Sequence, residues 1–340
     1  MKRLLLFTPA PPGGTPTQGE LLGRLLSNKY LTVQIISRAG SPLVRFLDVV
    51  LRGWFGVVRS DVVLVNVYGG RAFAHESIAV LYASLFRKRC VVFLRGGWLV
   101  DFIRAHRKWG RFVLSLPDRN IAPHNFLVAG LREFGIRVDE TIPNFIELDK
   151  YTFRLRSQVA PAFLYTRGMH EIYNPEMTIR AFADVVAKIP EAQLTLAGSG
   201  ERQEMEKLVD SLGLADNTRF VGLVTKVELR DLISQHDIYL QSNRVENMPV
   251  SILEMWASGI PVIATNVGGT PALVENESDG LLVRGDNPGE LANACLRLLK
   301  DRKLVENLSR NGRERVKEFT AEQVYKKWIN TLFPSAVNEN

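Results

Sequence analysis

The stretch over residues 246–269 constrains the fold of this chain more than any other part of the sequence. It reads E-N-M-P-V-S-I-L-E-M-W-A-S-G-I-P-V-I-A-T-N-V-G-G and follows an apolar run, residues 237–241, typical of a buried strand. An asparagine that can cap a helix and a glycine and proline that end it predict a helix over residues 247–258. Residues 261–265 are predicted as the next strand, before a Gly-Gly turn. Strand, helix and strand in this order predict part of an open parallel sheet.

Two glutamates, Glu246 and Glu254, stand at the start of the predicted helix and within it. In an open parallel sheet the carboxyl ends of the strands form the ligand crevice, and helix N-termini there offer N–H groups to a phosphate. A carboxylate cannot neutralise a phosphate, but it accepts strong hydrogen bonds from neighbouring hydroxyls. The two carboxylates therefore indicate a ligand with two polyols and a phosphate, such as a nucleotide sugar.

The rest of the chain alternates strand and helix signals, which predicts doubly wound α/β domains. A chain of 340 residues exceeds the usual size of a single core, so we expect two domains. A polar segment without a clear period marks the boundary between them. The predicted divisions are residues 1–145, a linker at 146–160, residues 161–320, and a final helix and tail at 321–340.

The E-x7-E spacing, with A-x-G-x-P-V-I-A-T-x-x-G-G after it, resembles the signature of the retaining glycosyltransferases of family four, whose fold is called GT-B. The resemblance implies an α/β protein with two Rossmann-like, doubly wound domains that face an interdomain cleft. The first would bind the acceptor and the second the nucleotide sugar. The final helix, within residues 321–340, would cross back to the first domain.

The resemblance also implies roles for individual residues. Glu246 would bind the hydroxyls of the transferred sugar, Glu254 the ribose, and Arg167 the donor diphosphate. The catalytic set would be Glu246, Arg167 and Arg95. The remaining donor contacts would come from two glycine turns and the start of the helix, namely Gly13, Gly14, Gly198, Asn247, Met248, Pro249 and Val250.

Two positions depart from the family pattern. Arg95 stands where members commonly have a histidine that faces the transferred sugar, and an arginine can donate hydrogen bonds but cannot act as a general base. A lysine that helps to bind the diphosphate is replaced by Tyr173 or Asn174. Lys226 and Arg244 could take its place, and the sequence does not choose between them.

Basic residues are concentrated in the first part of the chain. Residues 1–143 contain 20 Lys and Arg against 9 Asp and Glu, whereas residues 144–340 contain 23 against 27. A basic surface attracts nucleic acid, an anionic membrane or an anionic substrate. No nucleic-acid-binding module is recognisable, so we expect no nucleic-acid partner. The family resemblance favours an anionic membrane surface and a lipid-linked acceptor.

Residues 42–59 combine large apolar side chains with three arginines spaced by seven residues. One interpretation is a helix packed on the sheet. The other is a membrane-facing surface in which Trp54 and Phe55 enter the interface and the arginines meet anionic headgroups. A second basic and aromatic cluster occupies residues 104–111.

The family resemblance, together with these features, implies a retaining, metal-independent glycosyltransferase of the hexosyltransferase kind. It would transfer a sugar from a UDP-type or GDP-type donor to a lipid-linked, polysaccharide or other glycoconjugate acceptor. The sequence has no D-x-D, HExxH, CxxC or Walker motif, so we expect no metal site and no bound cofactor. Two alternatives remain open: a catalytically weak subunit that binds nucleotide sugars, and a nucleotide-sugar epimerase of the same fold.

The expected location is the cytoplasm, with peripheral attachment to the inner face of the membrane. Cys90 and Cys295 are isolated, which favours a reducing compartment, and no apolar stretch is long enough to predict a transmembrane helix. The sequence does not specify the sugar, the base, the acceptor or the oligomeric state.

Overall fold

The computed structural model describes residues 2–8, 16–27, 31–36 and 42–334. The chain divides into two compact units. Unit 1 comprises Met1–Phe145 and Ala321–Asn340, and unit 2 comprises Ile146–Thr320. Each unit is built on its own parallel sheet.

The sheet of unit 1 has six parallel strands within the described residues, in the order β2-β1-β3-β4-β5-β6. The strand β3 is apolar at five of its six positions and buried along its whole length, as expected for a strand covered on both faces. The strands are β1 (Lys2–Phe7), β2 (Leu31–Ile36), β3 (Val62–Val67), β4 (Arg89–Leu94), β5 (Arg119–Ala122) and β6 (Glu140–Thr141).

Helices connect these strands and cover both faces of the sheet. The first one begins at a capping box, in which the Thr17 hydroxyl accepts the Glu20 N–H and the Glu20 carboxylate accepts the Thr17 N–H. The helices are α1 (Gln18–Leu26), α2 (Pro42–Arg59), α3 (Phe73–Leu85), α4 (Leu99–Ala105), α5 (Arg107–Leu114) and α6 (Asn125–Arg132). Helices α2 to α6 contribute to one apolar core on one face of the sheet.

The sheet of unit 2 also has six parallel strands, in the order β12-β11-β10-β7-β8-β9. The strands are β7 (Ala162–Tyr165), β8 (Gln193–Ala197), β9 (Thr218–Gly222), β10 (Ile238–Gln241), β11 (Val262–Thr265) and β12 (Leu281–Val283). Strands β8 and β9 lie on one side of β7, and strands β10, β11 and β12 lie on the other side. The order therefore reverses between β7 and β10.

The helices of unit 2 pack on both faces of its sheet and form two apolar cores. They are α7 (Pro175–Val186), α8 (Arg202–Ser211), α9 (Lys226–Gln235), α10 (Val250–Ser258), α11 (Thr270–Leu273), α12 (Pro288–Lys300) and α13 (Arg302–Val316). Residues 146–160, predicted as a linker, belong to unit 2. Ile146 and Val159 are buried in its cores, and the Arg156 guanidinium bonds the carbonyls of Ser258 and His236.

The last helix, α14 (Ala321–Leu332), packs in unit 1 although it follows unit 2 in the sequence. Val324, Trp328 and Leu332 are buried in the core that covers the second face of the first sheet. The ring of Trp328 meets the ring of Phe93 edge to face at 4.9 Å. Among the described residues, none of the helices combines the length and the apolar character needed to cross a membrane.

Candidate functional site

The site in unit 2 lies where β7 and β10 end side by side. At this point the strand order reverses, so the helices that follow the two strands lie on opposite faces and leave a crevice at the carboxyl edge of the sheet. Arg167 comes two residues after β7, and Glu246 comes five residues after β10. The fold itself therefore brings together two side chains that are 79 residues apart in the sequence.

Glu246 and Arg167 form an ion pair at the edge of the sheet. An Arg167 Nη2 donates to Glu246 Oε2 over 2.6 Å, and the Asn243 amide donates to the same oxygen over 2.7 Å. The other oxygen, Oε1, accepts the N–H of Asn247 over 3.0 Å. Donors from three different residues thus hold the carboxylate of Glu246, a residue that is only 9% exposed.

The Arg167 guanidinium still has capacity for a ligand. Burial acts to lower the pKa of Arg167, but the Glu246 carboxylate and three neighbouring tyrosines together outweigh it. They raise the pKa above its ordinary value, so the side chain keeps its charge. Its plane lies over the Tyr173 ring at 4.6 Å. Within the described part of the chain, its buried Nε has no acceptor, and the buried Oδ1 of Asn243 has no donor. Buried polar atoms are normally bonded, so these two atoms indicate the position of a polar ligand.

Glu254 is held by a second pair of donors. The Lys226 ammonium and the Tyr151 hydroxyl both donate to its Oε1, the hydroxyl over 2.9 Å. Burial and the Glu254 carboxylate together raise the pKa of Tyr151 above its usual range, so the hydroxyl keeps its proton. In the parts of the chain that the structure describes, no donor bonds Glu254 Oε2. That oxygen can accept a hydroxyl from a ligand.

Sequence reasoning missed Tyr151, which lies in the segment predicted as a linker. Tyr151 and Glu254 are 103 residues apart, and no local pattern links them. The aromatic residue itself would have been a signal, since tyrosine is usually at least partly buried and is uncommon in a solvated linker.

Glycines allow the backbone to approach these residues closely. A Cβ on Gly269 would lie 1.8 Å from the Asn247 carbonyl oxygen, and one on Gly268 would lie 2.0 Å from that of Glu246. The Gly269 N–H also donates to the Glu246 carbonyl over 3.0 Å. In the same way, a Cβ on Gly198 would lie 2.1 Å from the Arg167 carbonyl oxygen. The glycine turns after β8 and β11 thus pack directly against the backbone of Arg167 and Glu246, the two residues of the ion pair.

The segment before α10 differs from the sequence expectation in one respect. The helix begins at Val250, not near Asn247, and Pro249 occupies the cap position without a side-chain hydrogen bond. Asn247 and Met248 are buried and belong to the loop that follows Glu246. Because no side chain caps α10, N–H groups of its first turn remain for a ligand at the edge of the sheet.

The second cation expected beside Arg167 is absent from the two predicted positions. Lys226 bonds Glu254, and Arg244 bonds the carboxylate of Asp286 over 2.9 Å and the carbonyl of Glu171 over 3.1 Å. The family's lysine position corresponds to Tyr173 or Asn174. The Tyr173 ring lies against the Arg167 guanidinium, and the Asn174 side chain caps α7. Among the described side chains, the positive charge at Glu246 therefore comes from Arg167.

The remaining predicted site residues belong to unit 1. Arg95 follows β4 and donates through Nε to Asn66 over 2.7 Å and through Nη1 to Asn144 over 3.0 Å. Its guanidinium lies 4.2 Å from the centre of the Phe93 ring. Gly13 and Gly14 lie outside the described residues.

Comparisons with known proteins agree with this architecture. Residues 157–315 match the family described as Glycosyl transferases group 1. Among solved structures, the Anabaena protein Alr3699/HepE in complex with UDP-glucose matches with a TM-score of 0.78 at 15% identity, over 98% of this chain and 99% of that one. The sucrose-phosphate synthase from Thermosynechococcus elongatus matches with a TM-score of 0.79 at 18% identity, over the full length of both chains.

Curated relatives are similar over part of their length. The N-acetyl-alpha-D-glucosaminyl L-malate synthase of Bacillus anthracis is 28% identical over 201 residues, which cover 56% of this chain and 52% of the relative. The lipopolysaccharide core biosynthesis glycosyltransferase LpsD of Rhizobium meliloti is 33% identical over 62% of each chain. An Escherichia coli protein, the UDP-Gal:alpha-D-GlcNAc-diphosphoundecaprenol alpha-1,3-galactosyltransferase, is 22% identical over 86% of each.

The match thus spans about half the length of the Bacillus relative, and it spans 40% and 42% of two inositol-phosphate glycosyltransferases. The family match and the two six-stranded parallel sheets lead to the same assignment. Together they support a group 1 glycosyltransferase of the GT-B type.

Proposed function

We propose that this chain is a retaining, metal-independent glycosyltransferase that uses a nucleotide diphosphate sugar. The observation that carries the proposal is the Arg167–Glu246 pair at the reversal of strand order, with an Arg167 Nε that lacks a partner among the described residues. A donor diphosphate there would meet Arg167 and the uncapped N-terminus of α10. The sugar hydroxyls would bind Glu246, and the ribose would bind the open oxygen of Glu254.

The nucleotide is proposed to be of the UDP type. The Escherichia coli relative is described as acting on UDP-Gal, and the Anabaena structure contains UDP-glucose. A GDP-type donor is the alternative that the same site would accept, because the proposed roles of Arg167 and the two glutamates involve the diphosphate, the sugar and the ribose, not the base.

In the proposed reaction, the acceptor hydroxyl forms a bond to the anomeric carbon as the bond to the diphosphate breaks. The leaving phosphate oxygen takes the acceptor proton, so no protein base is required. Negative charge then develops on the diphosphate, and Arg167 and the N–H groups of α10 stabilise it. Arg95 is not proposed as a base: burial lowers its pKa, but an arginine side chain keeps its proton in proteins.

The acceptor is proposed to be a lipid-linked or polysaccharide glycan, and the enzyme to act at the cytoplasmic face of an anionic membrane. Support comes from the basic composition of residues 1–143 and from the diphosphoundecaprenol acceptor in the name of the Escherichia coli relative. The relatives named above are transferases and a synthase, so an epimerase is not proposed.

The first test is a thermal-shift panel of UDP, GDP, ADP, TDP and their sugars on the wild type and Glu246→Gln. A ligand at about 100 times its Kd should add about 2.7 kcal/mol, a rise in Tm of roughly 2 to 4 °C for each kcal/mol in a unit of this size. We expect one nucleotide sugar to stabilise the wild type more than its nucleotide alone, and Glu246→Gln to lose that difference.

Glu306→Gln is the matched control, because Glu306 forms an exposed ion pair with Arg310 on α13. It should keep the full response. If no nucleotide stabilises the wild type, the donor site is wrong. If the donor binds and no acceptor extract supports transfer, the chain is the weakly active binding subunit, for which the single cation at Glu246 is the structural reason.

A further inference from the structure

The helix α2 has two apolar faces, although packing on the sheet needs only one. Its inner face carries the buried residues Val49, Gly53, Gly56 and Val57. This face joins the core that α2 shares with the sheet and α3, and the Tyr82 hydroxyl of α3 bonds the Val50 carbonyl over 3.1 Å. The inner face of α2 therefore packs within unit 1.

The outer face of α2 is apolar and exposed. At 3.6 residues per turn, its members lie within a stripe roughly 100° wide on the side opposite the buried residues. Each is between 42% and 63% exposed. They are Val44, Leu47, Leu51, Trp54, Phe55 and Val58. A single exposed apolar residue needs no explanation, but six on one side of one helix mark a binding surface.

Helices α3 and α5, which lie in one layer with α2 on the same face of the first sheet, extend this surface. Helix α3 exposes Leu81 and Leu85, and the Trp54 ring of α2 lies 6.3 Å from the ring of Phe86 at the end of α3. Helix α5 exposes Trp109 and Phe112. All three helices contribute to one core on one face of the first sheet, so their exposed sides point away from that face together.

The charge around this layer is strongly positive. Residues 42–134 contain 14 arginines and lysines against six aspartates and glutamates. Of the acidic residues, Asp48 is paired with Arg52, Asp101 is paired with Arg104, and Glu76 is buried. Two copies of this chain that met through the layer would bring like charges together, which opposes self-association. An anionic surface fits both the charge and the apolar stripe.

We propose that α2 lies in the plane of an anionic phospholipid bilayer and inserts its outer face at the boundary between headgroups and acyl chains. Trp54 and Phe55 anchor the helix there, because aromatic side chains favour the interface. Arg52, whose side chain is 78% exposed, and Lys108 on α5 contribute attraction to the phosphates. This inference rests on the proposed function in one respect: membrane binding would give the enzyme access to a lipid-linked acceptor.

The test is flotation of the full chain with vesicles of phosphatidylcholine alone or with about one third phosphatidylglycerol, at low and high salt. We expect the wild type to float with the anionic vesicles at low salt and much less with neutral ones. The double variant Trp54→Ser with Phe55→Ser should lower the partition coefficient about tenfold or more, because both side chains lose apolar area in the interface.

Two control variants separate the apolar and the electrostatic contributions. Leu223→Ser with Val227→Ser removes two apolar side chains of unit 2 that are 65% and 59% exposed, and it should float like the wild type. Arg52→Gln with Lys108→Gln should weaken binding to anionic vesicles and leave the weak binding to neutral ones unchanged.

Three outcomes would overturn the inference. The first is that the wild type does not float with anionic vesicles. The second is that the Trp54 and Phe55 double variant floats as well as the wild type. The third is that light scattering shows a dimer of the wild type that this double substitution dissociates. Nucleotide binding in the thermal-shift panel is measured without vesicles. If vesicles do not bind but nucleotides do, only the proposed membrane surface is wrong. If vesicles bind but nucleotides do not, only the proposed donor site is wrong.

Discussion

At the scale of single residues, Tyr151 is expected to position Glu254 for the ribose. Its hydroxyl and the Lys226 ammonium both bond Oε1, which leaves Oε2 without a donor among the described residues. In Tyr151→Phe the carboxylate loses one of its two donors and becomes less ordered. We expect UDP to bind roughly fivefold more weakly, equivalent to about 1 kcal/mol. Calorimetric titration with UDP and 2′-deoxy-UDP should show that the preference for the ribose form shrinks.

Tyr82→Phe provides the matched control, since it removes a similar hydroxyl, bonded to the Val50 carbonyl in unit 1. Both variants should lose comparable stability, whereas nucleotide affinity should fall only in Tyr151→Phe. An unchanged ratio of UDP to 2′-deoxy-UDP affinity in Tyr151→Phe would show that Tyr151 has a structural role only.

The two glutamates were predicted from a local motif with distinctive chemistry, and Arg167 was predicted from the family resemblance. The strand order adds what the sequence could not supply, namely that Arg167 bonds Glu246 across 79 residues. Tyr151 and Lys226 were not identified as partners of Glu254, because such contacts depend on how distant loops pack. Their roles toward a donor remain predictions.

At the scale of elements, the first turn of α3 holds the loop that follows β3. The Glu76 carboxyl accepts the N–H groups of Tyr68 and Gly69 over 3.0 and 3.3 Å. Burial raises the pKa of Glu76 to about 8, although these two hydrogen bonds act in the opposite direction. In the unfolded chain the carboxyl ionises near its ordinary value of 4.5. Between pH 4.5 and 8 the folded form therefore holds a proton that the unfolded form has lost.

The contribution of Glu76 to stability is thus complete below pH 4.5 and is lost as the pH rises towards 8. The free energy of unfolding should fall by as much as about 1.4 kcal/mol for each pH unit in this window. Glu76→Gln carries no titrating proton, so the difference in unfolding free energy between it and the wild type should change with pH. Denaturant unfolding at pH 5.5 and 8 measures this slope. Glu133→Gln, at an exposed position of unit 1, should leave the slope as it is in the wild type.

The positions of strands and helices were largely predictable from apolar runs, caps and glycines, and the limits of elements were less so. The predicted strand at residues 261–265 is confirmed as Val262–Thr265. Helix α10, which precedes this strand, has Pro249 at its cap position, two residues after the asparagine that the sequence predicts as the cap. Asn247 is instead drawn into the loop at Glu246, where its N–H bonds the carboxylate. The preference of asparagine for a cap position is overridden here by a hydrogen bond to Glu246 that forms only in the folded loop.

At the scale of the whole molecule, the chain leaves unit 1 at residue 145 and returns to it at residue 321. An amphipathic pattern predicts that the last helix packs on a sheet but does not say on which one. The structure shows Trp328 in the core of unit 1, 1% exposed, with its ring against Phe93. The two units have separate cores, and every donor contact proposed above, except those of Gly13, Gly14 and Arg95, lies in unit 2.

This separation predicts that Trp328→Ala destabilises unit 1 and leaves nucleotide binding to unit 2 intact. Removing a buried tryptophan costs about 3 to 5 kcal/mol, which should lower the melting temperature of unit 1 by roughly 10 °C. Scanning calorimetry with and without UDP distinguishes the units, because UDP should raise only the transition of unit 2. Trp256→Ala, at a fully buried position of unit 2, should lower that UDP-responsive transition instead. If Trp328→Ala lowers the UDP-responsive transition by the same amount, the units unfold together and the last helix stabilises both of them.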